Sequence, residues 1–67
     1  MNKKTKINAL VALRRMSTEA LKNRDTAIEN QATCGRDKIE FWKESEAYWN
    51  QEYIEVQESY EDVMANY

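Results

Sequence analysis

The chain has no proline and no histidine, and only one glycine and one cysteine in 67 residues. Without proline, and with Gly35 the lone glycine, almost nothing interrupts a helix, so sheet folds and multi-loop folds are poor fits. Without histidine there is no Ser-His or Cys-His pair, and the commonest general base is missing. A single cysteine, Cys34, excludes an intramolecular disulfide and cannot by itself build a zinc site. A reduced thiol in a cytosolic protein is the expected state.

Long apolar runs are lacking too. The segment INALVAL follows Lys3, Lys4 and Lys6, but Arg14-Arg15 closes it after seven residues. That is too short to cross a membrane, and no small-residue cleavage pattern follows, so neither a signal peptide nor a membrane span is expected. The reading is a cytoplasmic protein of one domain at most. Its single small core supplies only about 3–5 kcal/mol.

Charge is plentiful and unevenly placed. Residues 1–38 carry nine Lys/Arg and four Asp/Glu, a balance of +5; residues 39–67 carry Lys43 and eight acids, a balance of -7. Two such halves attract when they lie side by side, which suits a hairpin.

From Ile39 onward large side chains recur at alternating steps of three and four. The series is Ile39, Trp42, Glu46, Trp49, Tyr53, Val56, Tyr60, Val63 and Tyr67. Residues so spaced share one helix face, and a seam held for four heptads predicts a long helix packed lengthwise on another. In the first half a broader face holds Ile7, Leu10, Leu13, Ala20, Leu21, Ala27, Ile28 and Ala32. Ser17-Thr18 leaves two readings open there, an uninterrupted helix or a break capped by a hydroxyl.

Between the halves stands Thr33-Cys34-Gly35-Arg36-Asp37. Gly35 in the left-handed conformation would close the first helix, and Asp37 with Glu40 would form a capping box for the second. The expected fold is therefore all-α, an antiparallel two-helix hairpin of coiled-coil type. Its expected parts are a helix over about 4–33, a turn at 34–37 and a helix over about 38–65. Folding about Gly35 makes facing residue numbers sum to about 70. Ile28 then meets Trp42, Leu21 meets Trp49, Leu10 meets Tyr60, Ile7 meets Val63, and Arg24 meets Glu46.

A two-helix hairpin covers one face of each helix, yet Phe41 and Tyr48 fall outside the seam on the back of the second helix. Surplus apolar surface marks a contact site, so a protein partner or a homodimer completing a four-helix bundle is expected. The predicted partner-binding residues are Phe41, Glu44, Tyr48, Glu52 and Glu55. No catalytic, cofactor-binding or metal-binding residue is predicted, because acids such as Glu40 and Glu44, or Glu58 and Asp62, spread along a helix without a pocket.

Three functions follow in order. The first is a small non-enzymatic inhibitor or regulator of a larger nucleic-acid-processing protein, its acidic helix occupying a basic groove. Small acidic proteins of bacteriophages act in that way, an analogy of size and composition only. The second is a self-assembling structural bundle. The third is an RNA- or DNA-binding bundle using Lys4, Arg15 and Lys22. A pI near 5.1 counts against the third.

Overall fold

Asn2 opens the first helix. Its Oδ1 accepts a hydrogen bond from the Thr5 amide at 2.8 Å, satisfying one of the donors a helix start leaves free. In the computed structural model, which describes residues 2–66, helix α1 spans Lys3–Thr33 and helix α2 spans Ile39–Asn66. A 3-10 turn, Arg36–Lys38, joins them. The two helices pack against each other along a body 51 × 14 × 11 Å in extent. Tyr67, the last member of the expected seam, lies outside the described residues.

Helix α1 runs through Ser17-Thr18 without a break. The reason is local. Thr18 Oγ1 turns back to donate to the Arg14 carbonyl at 3.1 Å, while Ser17 Oγ accepts from Gln57 Nε2 across the seam at 3.0 Å. Neither hydroxyl is left to cap a new helix.

The connection differs from the expected one in two respects. Gly35 has φ -72° and ψ 163°, an extended conformation, not a left-handed one. Its lack of a side chain answers a close approach instead, since a Cβ there would meet Asp37 Oδ1 at 2.8 Å. Asp37 is no N-cap either. It sits inside the 3-10 turn, which begins one residue earlier and runs straight into α2, so no capping box with Glu40 forms. Helix α1 itself ends where Cys34 turns extended and sends its amide back to the Asn30 carbonyl at 2.9 Å.

That 3-10 turn moves the apex of the hairpin toward residue 37 and slides the register by one helical turn. The bonded pairs Ser17–Gln57 and Arg24–Asn50 have numbers that sum to 74. The expected partners of Leu10, Leu21, Ile28 and Arg24 are displaced accordingly. Leu13 now shares a groove with Tyr60, and Ala20 shares one with Trp49 and Val56.

The α2 side of the seam follows the expected series from Ile39 to Val63, every member buried or half-buried. Opposite it a series of covered positions runs Leu10, Leu13, Ser17, Ala20, Arg24, Ala27, Gln31 and, just past the end of α1, Cys34, again at steps of three and four, with Lys6, Ala9, Leu21, Asn23 and Asn30 half-buried beside it. Ile7, Ile28 and Ala32 are exposed, contrary to expectation. A single partner helix covers only two seven-residue columns, and these three residues stand just outside them. Among the described residues only Ala20, Ala27 and Val56 are buried. Small residues on α1 facing tryptophans on α2 let the helices approach closely.

Candidate interaction surfaces

A row of polar contacts crosses the seam. Ser17, Arg24 and Gln31 stand seven apart in one column of α1, and each meets a polar group of α2. Ser17 accepts from Gln57, Arg24 Nη1 donates to Asn50 Oδ1 at 3.1 Å, and Gln31 Nε2 donates to Glu46 Oε1 at 2.7 Å. Gln31 also approaches the Trp42 carbonyl at 3.5 Å. The expected Arg24–Glu46 pair does not form. The guanidinium instead pairs with Asp25 at 3.6 Å, leaving its buried Nε without a partner. The sequence signal for this row was the seven-residue spacing of three polar residues, which a search for apolar faces passes over.

The outer face of α2 carries the five predicted partner-binding residues. Phe41, Glu44, Tyr48, Glu52 and Glu55 follow one another at steps of three or four, so they form one continuous ridge. Phe41 and Tyr48 are 59% and 57% exposed. Each is held edge-to-face by the seam tryptophan next to it: Phe41–Trp42 and Tyr48–Trp49 both have ring centroids 4.9 Å apart, at 79° and 85°. The half-buried tryptophans thus fix the direction of the exposed rings. Glu44 and Glu55 are exposed, while Glu52 is half-buried in a groove with Met16, Trp49 and Val56.

The basic residues of α1 are placed less evenly. Arg15 and Lys22, one heptad apart, line a shallow depression with Val11 and Thr18, and Glu19 lies among them. Lys4 is not part of it. Among the described residues no group of three or more acids or cysteines stands close enough to hold a metal ion. No helix there is long and apolar enough to cross a membrane.

No family model, curated protein or solved structure matches this chain. Its chemistry must therefore be read from its own surfaces. Two lateral flanks border the seam. One holds Met16 beside Glu19 and Glu52. The other holds Leu21 beside Ser17 and Gln57, and Ile28 beside Arg24 and Asn50. Seven-residue steps from these groove residues put Ile7 and Met64 on the second flank, and likewise Val11 from Thr18 and Ile54 from Ala47. Of these, Ile7, Val11, Ile28, Ile54 and Met64 are each 41–51% exposed.

Proposed function

We propose that this chain is a non-enzymatic protein-binding module that inhibits or regulates a larger, basic, nucleic-acid-processing protein in the cytoplasm. The observation that carries the reading is the orientation of Phe41 and Tyr48 by Trp42 and Trp49. Exposed aromatic rings that are already held in place lose little freedom on docking, and aromatics dominate the energetics of interfaces. Glu44, Glu52 and Glu55 surround Tyr48 with negative charge, which steers the ridge toward a basic surface and away from acidic ones. Association through the remaining flank, as in a four-helix bundle, is compatible with this role, because it leaves the ridge outward.

The test begins with affinity-tagged chain in a bacterial lysate, captured at low and high salt, followed by affinity measurements on the purified partner. Phe41→Ala with Tyr48→Ala is expected to weaken that binding by about a hundredfold or more. Glu44→Lys with Glu55→Lys is expected to slow association and flatten its salt dependence. Unchanged affinity in the aromatic variant would sink the ridge as the contact surface.

A further inference from the structure

We infer that a second copy of this chain covers the flank formed by Ile7, Val11, Leu21, Ile28, Ile54 and Met64. In this dimer α1 of each copy packs on α2 of the other, with both turns at the same end. The inference rests on a different surface from the ridge and goes beyond the role proposed for it.

Area gives the first argument. The chain exposes 5269 Å² for a mass of 8.0 kDa. A compact monomer of that mass exposes about 4,500 Å². The surplus of about 800 Å² matches one partner's share of a stable interface, also about 800 Å². With three buried residues among those described, the hairpin alone has little core to hold it together. Of the polar groups lining this flank, Ser17 is already bonded to Gln57 and Arg24 to Asn50, while the charges of Arg14 and Lys43 need partners from whatever covers it.

Charge selects the occupant and its direction. On this flank Arg14 lines the groove with Leu21 and Lys43 the groove with Ile28, seven-residue steps place Glu61 beside Ile54, and Arg15, Glu29 and Glu58 stand further out on the exposed faces of the two helices. Among the described residues none of these six is in an ion pair, the only one being Arg24–Asp25. Stacking a second copy with its turn at the same end repeats the internal register between copies. Arg14 then stands near Glu61 of the second copy, Arg15 near its Glu58, and Glu29 near its Lys43. Opposite signs meet at all three places. With the turns at opposite ends, α1 would lie on α1, setting Arg14 against Lys22 of the second copy, and the acidic α2 would lie on itself. Like charges so juxtaposed are strongly unfavourable. A foreign helix would have to reproduce this alternation of sign; the chain already carries its own complement.

Sedimentation and thermal melting of the purified chain across a concentration series test the inference. The expected results are a dimer mass and a midpoint that rises with concentration. Arg14→Glu with Arg15→Glu, and separately Glu58→Arg with Glu61→Arg, should each weaken self-association by on the order of a hundredfold. An equimolar mixture of these two variants should dimerise again, which also shows that both fold. The direction is read from spin labels on Arg36→Cys in a Cys34→Ser background. Labels no further apart than two helix diameters, roughly 20–25 Å, support the same-end arrangement. A separation near the 51 Å length of the hairpin would overturn it. A monomer at every concentration, or a mixture that stays monomeric, would overturn the dimer. Phe41→Ala with Tyr48→Ala leaves dimerisation intact, so loss of the partner and loss of the dimer are separable outcomes.

Discussion

Gln31 Nε2 stands 2.7 Å from Glu46 Oε1, and that contact gives the one acid in the seam its partner. Arg24, one heptad earlier in α1, bonds Asn50 instead. A charged side chain in a helix seam is costly unless it is hydrogen-bonded, so which residue satisfies Glu46 decides what its removal costs.

Double-mutant cycles separate the two partners. Gln31→Ala combined with Glu46→Ala should show coupling of about 1 kcal/mol, the ordinary worth of a hydrogen bond to a partly exposed carboxylate. Arg24→Ala combined with Glu46→Ala should couple by less than about 0.5 kcal/mol. Equal coupling in both cycles, measured by urea unfolding, would contradict this assignment.

Arg24→Met should leave the melting temperature unchanged or raise it. The guanidinium keeps a buried Nε without a partner, whereas methionine retains the packing of its stem and strands nothing. A loss above about 2 kcal/mol would mean that the guanidinium makes a larger net contribution than its one bond to Asn50 indicates.

Ala27 is 1% exposed, and the register sets it between Trp42 and Trp49 on the facing helix. Ala27→Leu should cost about 1–3 kcal/mol, because the helices must move apart to admit the added carbons. Ala32→Leu, on the exposed side, should change stability by less than about 0.5 kcal/mol. Thermal melts of the two variants side by side make the comparison.

Gly35→Ala should be tolerated. The backbone at Gly35 is one any residue adopts, and the new Cβ meets only the end of the Asp37 side chain, which can rotate away. The expected change is within about 1 kcal/mol, and a stiffer unfolded chain favours a gain. A loss of 2 kcal/mol or more would argue for a left-handed turn after all.

Asn2→Ala removes the cap of α1. About 1 kcal/mol should be lost, with amide exchange quickening in the first turn alone. Protection unchanged at Thr5 would show the cap to be idle.

Helix α2 was legible because its seam repeats bulky side chains without a gap from Ile39 to Val63. The α1 side was harder to read. In its seam column Ser17, Arg24 and Gln31 are polar, and Ala20, Ala27 and Cys34 are small. The conspicuous Ile7 and Ile28 lie beside the contact, not in it. Register slipped by a turn for a related reason: from composition alone, a 3-10 turn over Arg36–Lys38 cannot be told from an Asp37 cap. The ridge from Phe41 to Glu55 was visible in spacing. The tryptophan edges that orient it were not, since spacing gives a face and leaves ring angles undetermined.

The polar row across the seam also acts as a proofreading device for assembly. Shift the hairpin by one heptad in one direction, and Arg24 exchanges its bond to Asn50 for a place opposite Lys43, the sole lysine of α2, which already borders its groove. Shift it the other way, and Ser17 faces Met64 with no acceptor or donor to meet it. An apolar seam would score such slipped hairpins nearly as well as the native one. Here each wrong alignment breaks the native polar contacts and leaves one member, Arg24 or Ser17, badly matched, so the chain gives up some cohesion for a preferred register.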